Sequence, residues 1–314
     1  MTIYILQRLI QTVIVVILIS FISFGLLQVM PGDPAAAVLG PNGTPAQIEA
    51  LRQELGLDQP VLQQYFHWVN QILHGDFGTS LQFREPASTL FADRLQVTLY
   101  LSLISMVVST VLGITVGVLC AMDRGGIIDQ FLSVLSNIGI AIPIFWLGIV
   151  GIYFFSFKFS LLPFVGWVSP FSDFVGSIRY TILPVILLAI PGIAIMARQT
   201  RSSMLEVTRQ DYMRTAYSKG LTVNKVLLKH GLKNALIPVV TMLGLQVRIL
   251  VGGSVLVENV FGIPGMGRLL VGAAQNKDFI LVQGGVLLIG IIVCLSNLLV
   301  DMSYGWIDPR IRLG

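Results

Sequence analysis

Apolar positions in this chain are gathered into long uninterrupted runs. They do not alternate with the period of two or 3.6 residues that marks a half-exposed strand or helix. Uncharged runs extend from Leu9 to Gly32, Leu95 to Met122, Gln130 to Phe157, Tyr180 to Ala197 and Phe279 to Val300. Each is about the length a helix needs, roughly 20 residues, to cross the hydrocarbon layer of a bilayer. A sixth stretch, Asn234 to Val257, qualifies if Arg248 is accommodated within it. The pattern predicts an all-α polytopic membrane protein with six transmembrane helices. The first run follows Arg8 as the apolar part of a signal peptide would. It is long for that role, however, and Val29-Met30-Pro31 is not a small-residue cleavage site, so a retained helix is expected.

The polar segments between the runs have patterns of their own. Residues 1–30 form the first span. Residues 31–94 form an extracytoplasmic helical insertion, and residues 95–314 a five-helix core interrupted by a polar loop over 198–233. In the insertion, Thr44-Pro45-Ala46-Gln47 combines a capping residue, a helix-starting proline and the reciprocal Gln. The helix it opens should end near Gly56. Pro60 should open a second helix, with Tyr65, Trp68, Val69 and Ile72 along one face. In the loop over 198–233, a helix is expected over Ser203–Tyr217, a break at Gly220, and a second short helix capped by Thr222. Lys225, Lys229 and Lys233, four apart, form a basic stripe.

Composition and charge then fix the setting. Hydrophobic residues are 54% of the chain and charged residues 11%, too few charges for a soluble surface, where about 25% is usual. Basic residues mark cytoplasmic loops. With the N-terminus inside, the inner segments hold twelve Lys and Arg and the longer outer segments seven. Both termini are therefore expected in the cytoplasm. The insertion has seven carboxylates against three bases, whereas residues 198–233 have eight bases against two acids. Two amphipathic helices joined at a glycine on the inner face suggest a docking element. A solvated positive loop accounts for the charges alone.

Several chemistries are absent. No G-x-x-x-x-G-K-[ST] phosphate cradle occurs. Gly262-Ile263-Pro264-Gly265-Met266-Gly267 lacks the Lys and hydroxyl residue that would complete one. Cys120 and Cys294 both fall within spans and form no disulfide framework or metal knuckle. His67 and His74 read as a surface pair with no third ligand, so no metal site is expected. The expected spans contain no carboxylate, and Arg248 is their one ionisable group. Intramembrane hydrolysis and ion-coupled transport both favour such groups at mid-membrane. An external energy source is the reading that remains.

Beyond these physical patterns, the run Asp211-Tyr212-Met213-Arg214-Thr215-Ala216-Tyr217-Ser218-Lys219-Gly220-Leu221, continued by His230-Gly231-Leu232-Lys233-Asn234-Ala235-Leu236-Ile237-Pro238-Val239, resembles the loop by which ABC importer permeases of the dipeptide, oligopeptide and nickel class dock onto their ATPase. The general importer pattern has Glu-Ala-Ala where Arg214-Thr215-Ala216 stands here. His230 and Lys233 replace its later Ile and Pro, departures typical of the peptide subfamily. Pro31-Gly32-Asp33-Pro34, Leu55 to Pro60, Gly75-Asp76-Phe77-Gly78, Glu258 to Gly267 and Asp308 to Arg312 are similar to other segments of that subfamily, in order along the chain.

The resemblance implies a non-catalytic permease with a second homologous permease, two ATP-binding subunits, an extracytoplasmic substrate-binding protein and membrane lipid as partners, and no nucleic acid. It implies no cofactor on this chain, with ATP and magnesium on the ATPase subunits. It assigns ATPase docking to Asp211, Arg214, Thr215, Ala216, Lys219, Gly220, Leu221 and His230. Pro238 reads as a hinge or as an ordinary helix-start proline. Arg248, about 21 Å along a helix from Asn234, reads as meeting a peptide carboxylate or a group in the companion permease. Di- or oligopeptides are the expected cargo; nickel chelates, glutathione or oligosaccharides are the alternatives. An ion-coupled secondary transporter and a membrane scaffold are the other classes.

Overall fold

The computed structural model describes residues 2–29, 34–39, 44–54, 56–222 and 225–307. Among them the only β pairing is an isolated bridge between Thr79 and Pro86. Two compact units divide the chain. One comprises Met1–Val97 with Gly265–Leu298, and the other Thr98–Pro264 with Leu299–Gly314.

The first unit contains α1 (Thr2–Val29), α2 (Pro34–Leu39), α3 (Pro45–Glu54), α4 (Val61–Leu73) and the start of α5 (Ala87–Met122). The capping box at α3 forms as read from sequence. The Thr44 N–H donates to Gln47 Oε1 (3.0 Å), and the Gln47 N–H donates to Thr44 Oγ1 (3.4 Å). Its end at Gly56, with φ +66°, also follows expectation. The Gly56 N–H donates to the Gln53 carbonyl and the Leu57 N–H to that of Arg52, the pair of hydrogen bonds that closes a helix on a left-handed residue. On α4, Tyr65 is buried and Trp68, Val69 and Ile72 are half-buried. Tyr65 stacks on Phe21 of α1, with centroids 4.1 Å apart, and its hydroxyl meets Ser20 Oγ at 2.7 Å. The insertion thus packs on the first span. α5 begins at Ala87 rather than Leu95, because Asp93 and Arg94 interrupt the hydropathy without interrupting the helix. Its first turns supply Ala87, Leu90 and Phe91 to an apolar core.

The later elements of this unit are α11 (Met266–Gln275) and α12 (Phe279–Ile307); α10 is defined below. Met266, Leu269 and Ala273 of α11 and Leu281 of α12 complete the same core. Asp278, fully buried, caps α12 by accepting from the Leu281 N–H (3.2 Å). It also holds the segment before α5, accepting from Ser80 Oγ (2.6 Å) and the Gln82 N–H (3.0 Å).

In the second unit the remainder of α5 packs with α6 (Ile127–Ala141), α7 (Ile144–Gly151), α8 (Phe174–Val207), α9 (Asp211–Ser218) and α10 (Leu232–Val260). A π-helical turn follows α7 (Ile152–Lys158), and another precedes α10 (Val226–Gly231). The run Gln130–Phe157, expected as one span, is bent by 101° between α6 and α7. Pro143 has no N–H to continue the ladder and its ring clashes with the preceding turn. The residue before it, Ile142, is extended (φ −80°, ψ 130°), as a following proline favours. α5 and α8 approach at two small residues. A Cβ on Gly113 would lie 2.5 Å from Met196 Cβ, and one on Gly117 the same distance from Thr200 Cβ. Small residues four apart let membrane helices meet at backbone distance.

Six spans were expected. Among the described residues four helices, Ile5–Leu26, Ala87–Met122, Phe174–Val207 and Phe279–Met302, are long and apolar enough to cross a membrane, or five with the bent pair. α10 has 29 residues, but the side chain of Arg248 lies outside those described. Pro238 stands inside α10 and not at its start.

Candidate functional site

The polar loop joins the end of α8 to the start of α10, two long helices. α8 does not stop at Ala197 but runs on to Val207, so the expected helix over Ser203–Tyr217 is in fact two. Tight bonds from the Arg209 N–H to the Glu206 carbonyl and from the Gln210 N–H to that of Val207 turn the chain. α9 starts at Asp211, whose carboxylate suits the positive end of a helix.

α9 is eight residues long, too short to persist by itself, since isolated helices under about 12–15 residues are marginal in water. Packing holds it. Met213 and Ala216, one turn apart, are buried with Met204 of α8, Val226 and Leu227 of the π turn, and Ala235 of α10; Leu221 packs at the edge. Tyr212 adds a tether, its hydroxyl accepting from Asn234 Nδ2 of α10 at 2.8 Å. The opposite face is bare: Asp211, Tyr212, Arg214, Thr215, Ser218 and Lys219 are exposed.

The residues expected to dock a partner therefore differ in exposure. Asp211, Arg214, Thr215 and Lys219 lie on the exposed face. Arg214 and Asp211 approach to 3.8 Å, an open pair of little energetic weight. Ala216 and Leu221 turn inward and seat the helix. Gly220 ends it at φ +76°, and a Cβ placed there would meet no atom within 4 Å. His230 is half-buried on the π turn, its carbonyl 3.5 Å from Asn234 Nδ2. Lys225, Lys229 and Lys233 are exposed. Of the second expected helix, the part beginning at Lys225 merges through the π turn into α10. Val223 and Asn224 lie outside the described residues, as do Leu55 and the segments Pro31–Asp33 and Asp308–Arg312.

Two buried carboxylates stand on helices just beyond the bounds of the expected spans. Asp129, in the first turn of α6, accepts two bonds from Arg201 of α8, Nε to Oδ1 at 2.6 Å and an Nη to Oδ2 at 2.7 Å. Glu258, fully buried near the end of α10, accepts from Thr98 Oγ1 of α5 at 2.7 Å. Twelve residues before it on α10, Gln246 Nε2 donates to Ser109 Oγ of α5 at 2.6 Å. Each carboxylate stood one position outside an expected span, at Gln130 and at Val257, so hydropathy assigned both to loops. On α8, Thr200, Ser203 and Met204 remain buried past the hydropathy boundary at Ala197.

Among the described residues no group of three or more His, Cys, Asp or Glu could hold a metal. His67 and His74 are both exposed, and Cys120 and Cys294 are buried free thiols.

Residues 113–313 match the family model "Binding-protein-dependent transport system inner membrane component", and residues 1–102 the model for the N-terminal part of such membrane components. Over 312 residues, 99% of this chain and 100% of the relative, the sequence is 42% identical to the probable peptide ABC transporter permease protein y4tP of Sinorhizobium fredii. It is 40% identical to the dipeptide transport system permease protein DppB of Escherichia coli K12, with 98% of each chain covered. Among solved structures, the inward-facing MetNI methionine ABC transporter aligns with a TM-score of 0.54 at 22% identity, covering 70% of this chain and 96% of that one. This last likeness concerns the fold alone.

Proposed function

The chain belongs to the binding-protein-dependent transport system inner membrane component family, and from that premise we propose that it is the permease through which an ATP-driven importer takes up di- or oligopeptides. The supporting observation is the identity of 40–42%, along essentially the whole chain, to relatives named as peptide and dipeptide permeases. It is a multi-pass protein of the inner membrane. In our reading both termini face the cytoplasm, six helices span, residues 31–94 lie outside and residues 198–233 inside.

The remaining parts of the reading follow from what this chain lacks and presents. It has no phosphate cradle, so hydrolysis of magnesium-bound ATP falls to two partner subunits and the chain itself is non-catalytic. A second, homologous permease completes the path, and an external binding protein delivers the peptide. The exposed face of α9, with Asp211, Arg214, Thr215 and Lys219, docks on an ATPase subunit. Gly220 and Leu221 form the turn beside it, and His230 lies on the π turn that leads into α10. α9 is seated by Met213 and Ala216 on the ends of α8 and α10, so displacement of the docked helix moves both. Arg248 of α10 is assigned to the translocation path or to the contact with the companion permease.

The test is reconstitution. Proteoliposomes holding this chain, its companion permease, both ATPase subunits and the binding protein should accumulate radiolabelled Ala-Ala only with ATP. The purified chain should hydrolyse no ATP above background. Ala-Ala flux driven by a proton or sodium gradient through this chain alone would overturn the reading. Topology has its own check: single cysteines at Gln53 and Lys229, on a background without Cys120 and Cys294, should react with an impermeant maleimide from opposite faces, Gln53 from outside. Modification of both from one face would refute the proposed arrangement.

A further inference from the structure

The buried pair Asp129–Arg201 lies where the first turn of α6, the inner end of α8 and the loop between α5 and α6 converge. Asp129 is almost wholly enclosed, its side chain 5% exposed, whereas Arg201 is 34% exposed. The carboxylate is fully engaged. Besides the two bonds from Arg201 it accepts from the Gly125 N–H at 2.9 Å, and Ser133 Oγ donates to it at 3.4 Å. Asp123 secures the same turn, its Oδ2 accepting from the Ile128 N–H at 2.8 Å. α5 is clamped to α8 at this level as well. A Cβ on Gly117 would lie 2.6 Å from the Ala197 carbonyl oxygen and 3.1 Å from the Arg201 backbone nitrogen. One turn beyond Arg201, Met204 enters the cluster that seats α9, and Ala121 of α5 packs against that cluster.

These contacts make a continuous solid connection from α9 through the end of α8 to the start of α6. Apolar packing alone resists separation but permits sliding, because dispersion contacts carry no direction. A planar guanidinium bonded twice to a carboxylate fixes both distance and angle. Breaking it leaves a charge without its partner in an enclosed site, which is strongly unfavourable.

We propose that Asp129 and Arg201 are positioning residues that rivet α6 to α8, so that motion of the docked helix α9 is carried into the bent third membrane segment. This deepens the permease reading and rests on it. Without the rivet α8 moves and α6 lags, which separates ATP hydrolysis from transport while leaving the parts assembled. A merely stabilising pair would lower the amount of assembled complex and leave its coupling unchanged.

The experiment uses the full reconstituted importer and the double variant Asp129→Asn/Arg201→Gln, which removes both charges together and keeps hydrogen-bonding groups in place. Nitroxide labels at Ile127, at the exposed start of α6, and at Glu206, on the last turn of α8, report the separation of the two helices. We expect that separation to stay constant when ATP binds the unmodified complex. In the double variant it should shift or broaden with ATP, and Ala-Ala uptake per ATP hydrolysed should fall at least roughly fivefold, the lower end of typical coupling between sites. An ATP-independent separation in the assembled variant would overturn the proposal. So would losses of uptake and hydrolysis in equal proportion to the loss of assembled complex. The label readout needs no peptide, so failure of Ala-Ala uptake in the unmodified complex would count against the peptide reading and not against the rivet.

Discussion

Replacing Gly220 by Val is expected to abolish most transport while leaving the amount of membrane-inserted protein unchanged. The reason is local. Gly220 sits at φ +76°, a region that a β-branched residue enters only with strain of about 1–3 kcal/mol. No neighbour contributes to the effect, since an added Cβ would meet nothing within 4 Å. The whole penalty therefore falls on the turn, and a penalty of that size lowers the ratio of correctly to incorrectly presented α9 roughly 5- to 150-fold. Gly220→Asn supplies the control, because Asn tolerates the left-handed region better than other side chains. Uptake and ATPase co-purification should rank glycine, asparagine, valine in descending order. Equal uptake by the glycine and valine forms, with the ATPase still bound, would show that this turn does not serve coupling.

Met213→Asp is expected to have a comparable effect through packing. Met213 is fully buried in the cluster that seats α9. A carboxylate has no partner in that cluster, and enclosing it costs several kcal/mol, more than an eight-residue helix can offset. α9 should detach from α8 and α10, with ATPase binding and uptake both lost. Met213→Leu, which conserves volume, should cost less than about 1.5 kcal/mol and keep both functions. Limited proteolysis supplies the structural readout: cleavage after Arg209 or Arg214 should accelerate in the Asp variant alone. Unchanged cleavage together with retained ATPase binding would show that Met213 does not hold the helix.

Both predictions concern a loop whose function was legible before its shape. The motif from Asp211 to Leu221, the eight bases over 198–233 and the break at Gly220 could be read directly, because docking motifs and turn glycines are local in sequence. Which side chains of the motif are available to a partner could not. Asp211, Arg214, Thr215 and Lys219 are exposed, whereas Ala216 is buried in a cluster with Met204, Val226 and Ala235, which lie on other elements. The same division runs through the insertion. The capping box at Thr44 and the end at Gly56 are set by a few neighbouring residues and formed as read. That Tyr65 should meet Ser20 and Phe21 depended on a contact across some forty residues.

The membrane-spanning part shows where hydropathy ceases to be informative. Sequence by itself determined that this is an all-helical membrane protein with its docking motif on a polar loop, because the cost of placing charge and unpaired backbone in hydrocarbon leaves few alternatives. Hydropathy stops at the first charge, but a helix does not. For that reason α5 starts at Ala87 and α8 ends at Val207, beyond the apolar runs. Pro143 was visible in the sequence, yet a run of apolar residues conceals a bend whose geometry is set by a missing N–H. The pairing of Asp129 with Arg201 and of Glu258 with Thr98 was decided only by tertiary structure. A buried charge is tolerated where another helix brings a matching group within bonding distance, and no local pattern records which helix that will be.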